Sequence, residues 1–226
     1  MTTPVITVDG PSGSGKGTIC QRLADALGFY LLDSGALYRI TALASKLQGI
    51  DLSNELAVAE VARCLDVSFK PSEHGVLVFL SGSDVSRDIR LEETGMGASV
   101  VAAHPSVRAA LLDRQRGFQQ APGLVADGRD MGTTVFPDAP VKIFLTASAE
   151  ERAKRRYRQL IERGESAKLR TLLGDIQARD TKDMQRSASP LKAADDALSI
   201  DSTTMPIQAV LDKVLELVKQ RLNLPV

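Results

Sequence analysis

The run Gly10-Pro11-Ser12-Gly13-Ser14-Gly15-Lys16-Gly17-Thr18 holds the residue types that cradle a polyphosphate. Its glycines let the backbone curl so that successive N–H groups point at phosphate oxygens. A helix starting within it adds positive potential, and Lys16 supplies a full charge. A plain glycine-rich turn is the alternative, but Lys16 is in register, a short apolar run precedes the segment and an amphipathic pattern follows it. Direct ligation of Mg²⁺ by a hydroxyl calls for Ser or Thr straight after the lysine, and here Gly17 intervenes before Thr18.

Two further runs carry chemistry. Leu31-Leu32-Asp33-Ser34-Gly35-Ala36-Leu37-Tyr38-Arg39 starts at the end of an apolar stretch. The carboxyl end of a strand is where open α/β sheets bind ligands, so Ser34 and Arg39 are expected to face a second substrate. Read otherwise, Asp33 or Ser34 is a helix N-cap and Arg39 a solvated helix residue. Leu124-Val125-Ala126-Asp127-Gly128-Arg129-Asp130-Met131-Gly132-Thr133 is a buried strand ending in a carboxylate, then a glycine and an Arg/Asp pair. An acid at such a strand end, beside a phosphate loop, can orient the water shell of Mg²⁺, which makes Asp127 the candidate. The competing view is a polar turn closed by an Arg129–Asp130 ion pair.

From Glu151 to Arg186 there are 11 basic residues against 6 acidic ones. Two helices joined by Arg163-Gly164-Glu165-Ser166 would form a helical hairpin able to close over phosphates and exclude water, with Arg155 and Arg156 meeting the donor phosphates. For any one of these charges, such as Arg152 or Arg170, a solvated helix face explains the residue equally well.

These residues need elements that bring them together. Short apolar runs alternate with segments of helical period: Val5 to Val8 then Thr18 to Leu27, Phe29 to Leu32 then Ala36 to Leu47. Leu124 to Ala126, Val141 to Leu145 and Ala197 to Ile200 continue the strands, with helices over Glu150 to Glu162 and Ile207 to Leu222. That alternation predicts an α/β fold with a parallel sheet covered by helices. Between Leu65 and Leu91 the period changes, and Asp66 to Phe69 with Val76 to Leu80 read as an antiparallel pair around KPSEHG, an inserted hairpin.

The chain has 226 residues, 43% of them hydrophobic, with 28 Lys and Arg balancing 28 Asp and Glu. Balanced charge disfavours a general polyanion binder, so nucleic acid is not an expected partner. Cys20, Cys64, His74 and His104 are too few for a disulfide framework or a zinc site and take no role, and no metal-ligating residue is assigned. The absence of a leader pattern and of a run of about 18 apolar residues predicts a cytoplasmic chain with no membrane partner.

The GKGT ending resembles the nucleoside monophosphate kinase branch of the P-loop family. That resemblance implies a metal held largely through water and substrate phosphates. GPSGSGKGT, DSGALYR and DGRDMGT, followed by FPDAPVKIFL and RDTKDMQR, together resemble bacterial-type cytidylate kinases over essentially the whole chain. The resemblance implies one P-loop domain over 1–226 with a three-layer core, a helical lid at about 150–186 and a nucleoside-monophosphate-binding insert at about 60–104. It implies ATP with Mg²⁺ as phosphoryl donor, CMP or dCMP as acceptor, and a monomer. By residue, it implies Ser34, Arg108 and Asp130 around the cytosine, Ser99, Arg179 and Asp183 around the sugar, and Arg39, Arg129 and Arg186 around the acceptor phosphate. Lys16, Asp127, Arg129 and Arg155 are the expected catalytic set. Chemistry supports one of these placements independently: the cytosine amino group donates to a carboxylate such as Asp130, whereas uracil sets a carbonyl there. A kinase for UMP, AMP or another small acceptor, and an ATP-dependent RNA-binding protein using the arginine segment, are the rival readings.

Overall fold

A computed structural model describes residues 3–72 and 75–223, so that His74 lies outside the described residues. Two compact units divide the chain, one of Met1–Asp33 with Arg116–Val226 and one of Ser34–Gln115.

The first unit is built on a five-stranded sheet of β1 (Val5–Asp9), β2 (Tyr30–Asp33), β6 (Leu124–Gly128), β7 (Val141–Thr146) and β8 (Leu198–Asp201), in the order β2-β6-β1-β7-β8. All four pairings are parallel, as the alternation of apolar runs and helices predicts. Side chains alternate across a strand. Ile6 and Val8 of β1 therefore enter one core with Ile143, Leu145 and Val125, closed by Ile19, Cys20 and Leu23 of α1 (Lys16–Leu27) and by Val210, Val214 and Val218 of α8 (Ile207–Leu222). Thr7 and Asp9 point the other way, toward a short π-helical turn at Met131–Val135. Register sets Asp9 beside Gly128 and Asp33 beside Asp127, so the carboxyl ends of β1, β2 and β6 finish level. The helical hairpin predicted from the arginine segment is present as α6 (Ala149–Glu162) and α7 (Leu169–Gln185), joined through Arg163 and Gly164. Ala153, Leu160 and Leu172 form its small apolar seam.

The second unit holds α2 (Ser34–Leu47), α3 (Glu55–Arg63), α4 (Glu92–Val101) and α5 (Pro105–Arg116, whose last residue falls in the first unit) with β3 (Val67–Ser72), β4 (Gly75–Leu80) and β5 (Ser83–Asp84). β3 and β4 pair antiparallel, matching the hairpin expected there, and β5 adds a short third strand. Helix α4 escapes a reading by propensity because EETGMGASVV carries two glycines. Its close packing on α2 explains one of them: a Cβ on Gly97 would sit 3.1 Å from Leu52 and 3.2 Å from Ala42.

Candidate active site

Gly10 to Thr18 follow β1 directly and open α1, the strand–loop–helix context that a phosphate cradle requires. Gly15 caps the helix with φ +96°, a left-handed conformation that a side chain would strain. Lys16 is buried, and its Nζ donates to the Pro11 carbonyl at 2.9 Å and lies 4.0 Å from Asp127 Oδ1. Ser14 Oγ donates to the same carbonyl at 3.1 Å. Asp127 Oδ2 is 3.7 Å from where a side chain on Gly17 would begin, which places the carboxylate at the start of α1. Burial pushes the Asp127 carboxyl up to about 6, against the pull of Lys16. Burial likewise lowers the Lys16 ammonium, with Asp127 opposing. Thr18 is exposed in the first helical turn.

Two arginines of α6 tie the hairpin to this loop. Arg152 is 4% exposed and donates from Nε to the Ala147 carbonyl at 2.9 Å and from Nη1 to the Ser12 carbonyl at 3.1 Å and Asp180 Oδ1 at 3.0 Å. The solvated-face reading of Arg152 is thereby excluded, whereas Arg170 is exposed as that reading expects. Arg155 donates to the Ser14 carbonyl at 3.3 Å and to the Ser202 carbonyl at 2.7 Å, and Ser202 Oγ donates to the Ser14 carbonyl at 3.1 Å.

Beyond β6 the Arg129 guanidinium pairs closely with Asp183 of α7, both largely buried. Burial alone would lower the Arg129 value, but the Asp183 charge and hydrogen bond outweigh it and raise it. Asp130 does not close a turn on its neighbour Arg129: its Oδ1 lies 3.9 Å from Arg186 Nη2. Arg179 and Asp183 are four residues apart on one face of α7, and Arg186 follows as the extended residue that ends the helix. The resemblance assigns Arg129 to the acceptor phosphate and Asp183 to the sugar, and the structure brings the two side chains into direct contact.

In the second unit, Ser34 Oγ is not left to solvent: it donates to Gln115 Oε1 at 2.6 Å, joining the start of α2 to the end of α5. Arg39 is not a solvated helix residue either, because its Nη1 donates to the Ile89 carbonyl at 2.9 Å and its guanidinium packs where a side chain on Gly95 would begin. Arg108 is buried over the Tyr38 ring, 5.6 Å from its centroid. Ser99 Oγ donates to the Gly95 carbonyl at 3.3 Å. Polar groups of α2, α4 and α5 are thus gathered within one unit, with the buried side chains of Gln115 and Tyr38 supporting them. Cys20 is core, Cys64 is exposed, and a His104 ring nitrogen lies 2.8 Å from the Leu52 carbonyl.

A family model described as cytidylate kinase matches residues 6–220. The chain belongs to the cytidylate kinase family. It is 58% identical over 220 residues to "Cytidylate kinase" of Stutzerimonas stutzeri (strain A1501), covering 96% of both chains. It is 57% identical over 220 residues to "Cytidylate kinase" of Aeromonas salmonicida (strain A449), covering 97% of this chain and 96% of the other. A gluconokinase structure from Sinorhizobium meliloti 1021 is a more distant likeness, with 16% identity and a TM-score of 0.47 over 98% of this chain and 95% of that one.

In this member of the cytidylate kinase family, sequence reasoning missed Asp9, Asp180, Ser202 and Gln115. Asp9 stands next to the glycine-rich run and carried a signal in its position alone. Asp180 and Ser202 carried none, because their partners are 28 and 188 residues away. The Arg155 contacts make a prediction. Arg155→Ala leaves the Ser14 carbonyl to Ser202 Oγ alone and loosens the cradle, so kcat is expected to fall by about tenfold to a hundredfold, with KM for the acceptor little changed. Unchanged steady-state turnover in the purified variant would show that Arg155 does not position the loop.

Proposed function

We propose that this chain transfers the γ-phosphoryl group of ATP to CMP or dCMP, giving ADP and CDP or dCDP. The observation that carries the reading is Lys16 in the glycine-rich loop 4.0 Å from Asp127, at the carboxyl ends of the inner strands β1 and β6, where Arg129 and Asp130 follow. The acceptor is a phosphate oxygen, already anionic, so no general base is required. Catalysis then consists of positioning and charge neutralisation. In this role the N–H groups of Gly10 to Thr18 hold the donor phosphates, and Lys16 exchanges the Pro11 carbonyl for a phosphoryl oxygen. Arg129 and Arg155 add positive charge. No group of three His, Cys, Asp or Glu side chains among the described residues is placed to hold a metal ion. Mg²⁺ accompanying ATP would therefore take most of its ligands from water and phosphate, with Asp127 facing its hydration shell; when bound, it offsets the charge on the donor phosphates.

The same reading makes α6 and α7 a lid over about 150–186, closing to keep water from the activated phosphoryl group. It makes the segment at about 60–104, within the Ser34–Gln115 unit, the acceptor-binding insert. Ser34, Arg108 and Asp130 would meet cytosine, Ser99, Arg179 and Asp183 the sugar, and Arg39, Arg129 and Arg186 the acceptor phosphate. The whole chain 1–226 then works as one kinase domain, a cytoplasmic monomer acting on free nucleotides. Its balanced charge supports the absence of a nucleic-acid partner. No helix among the described residues is long and apolar enough to cross a membrane.

Base choice is the test. In a coupled ADP-release assay the wild type is expected to favour CMP over UMP by a wide margin in kcat/KM, because UMP sets a carbonyl against the Asp130 carboxylate, 2% exposed. Asp130→Asn should lower CMP use by about 1–3 kcal/mol of transition-state binding and shrink the discrimination against UMP. An equal loss for both nucleotides would assign Asp130 to ordering Arg186 instead of reading the base. A wild type that used UMP as readily as CMP would overturn the cytidylate assignment.

A further inference from the structure

Asp9 is 4% exposed, and both of its carboxylate oxygens are committed. Oδ1 accepts the Met131 N–H and Oδ2 the Gly132 N–H, each at 2.8 Å. These are the first two residues of the π-helical turn that follows Arg129 and Asp130. A helical turn leaves its leading N–H groups without partners in the turn itself, and a carboxylate that accepts two of them fixes their direction. The rest of the turn closes back on Asp130, whose carbonyl accepts the Thr134 N–H at 2.9 Å and the Val135 N–H at 3.2 Å. At its far end, Arg116 Nε donates to the Val135 carbonyl at 3.1 Å. Thr134 Oγ1 donates to Ser189 Oγ at 3.2 Å, and the Ser189 carbonyl accepts Arg186 Nε at 2.6 Å. The turn is thus held by an acid at its amino end and a guanidinium at its carbonyl end. Arg129 and Asp130 lead directly into it, and Arg186 is linked to it through Ser189.

The other end of the link is equally direct. Asp9 is the last residue of β1, and the next residue is Gly10 of the phosphate cradle. The Asp9 side chain thus links the two loops alongside the β1–β6 pairing that sets it beside Gly128. Space around the turn is already tight: a Cβ on Gly132 would lie 2.9 Å from Thr7 Oγ1, and one on Gly128 would lie 2.7 Å from the Met131 side chain.

We infer that Asp9 is a positioning residue for acceptor selection, aiming Arg129 and Asp130 from the strand that carries the donor loop. It touches no substrate in this role; it acts through the backbone of Met131 and Gly132. The inference rests on the reading that Asp130 meets the base of CMP. Its distinguishing consequence is a change in acceptor selectivity, which a merely structural carboxylate would not produce.

The experiment compares wild type, Asp9→Asn and Arg116→Gln by steady-state kinetics with CMP, UMP and ATP, each variant checked by a melting curve. Asparagine keeps the shape of the side chain but presents an NH₂ to one of the two N–H donors. The expected result for Asp9→Asn is a fall of about tenfold or more in the CMP-over-UMP ratio of kcat/KM, with a raised KM for CMP. KM for ATP should stay within about twofold, since no cradle contact is removed. Arg116 is exposed, and Arg116→Gln is expected to fold and show the same signature at smaller size. A folded Asp9→Asn that kept wild-type selectivity overturns the inference, whether or not kcat falls. If Asp9→Asn does not fold, unchanged selectivity in Arg116→Gln overturns it. A wild type that fails to prefer CMP defeats the base-reading assignment itself, an outcome visible before any variant is compared.

Discussion

Lys16→Met is expected to leave a folded protein whose kcat falls by about 10²–10³ or more, the range for removing a charge aimed at a transferring group in a water-poor site. The substitution keeps the length of the side chain and its apolar packing. It removes the donor now held by the Pro11 carbonyl and the only ammonium placed within 4.0 Å of Asp127 among the described residues. The cradle N–H groups and their glycine geometry are untouched, so ATP binding should weaken less than turnover, the pattern of an interaction strengthened in the transition state. A second consequence follows at Asp127, where Lys16 opposes the upward push of burial that brings the carboxyl to about 6. Without Lys16 that carboxyl rises further and is more protonated near neutrality, so raising the pH should recover a small part of the lost activity. Stopped-time ADP release at saturating substrates, with a melting curve for folding, measures the effect. Near-normal turnover in the folded variant would remove Lys16 from the mechanism.

Arg152→Ala should cost about 3–5 kcal/mol of stability, because it strips the counter-charge from a buried carboxylate. Arg152 and Asp180 are bonded through two nitrogens and both oxygens, and their side chains are 4% and 12% exposed. The same guanidinium also satisfies the Ser12 and Ala147 carbonyls. At about 2–4 °C per kcal/mol for a chain of this size, the melting temperature should drop by roughly 10 °C. Replacing the pair together, as Arg152→Met with Asp180→Leu, should recover more than half of that loss, since no lone charge is then buried. Thermal unfolding of the single and double variants decides the point. A single variant within about 2 °C of wild type would mean that water already screens Asp180.

The sequence determined the cradle, because its chemistry is local: glycines, lysine, the strand before and the helix after are contiguous, and backbone conformation alone turns them into a phosphate site. It also determined the parallel sheet and the inserted hairpin, whose periods of apolar residues follow from side-chain alternation along a strand. Asp127 was legible for the same reason, as a carboxylate ending an apolar run. The partnerships were not. Nothing in the order of residues distinguishes Arg152, held by Ser12 and Asp180, from the exposed Arg170 18 positions later, since both are arginines on helices in one basic segment. Asp9 to Met131 and Ser202 to Ser14 span 122 and 188 residues, so only the packed sheet could bring them within hydrogen-bond distance. Helix α4 shows the same limit in packing: its glycines argue against a helix until the contacts of Gly97 with Leu52 and Ala42 give a reason for them. Local patterns fixed which chemistry the chain carries, and long-range packing in a dry interior decided which charges are paired and how firmly the loops that bear them are held.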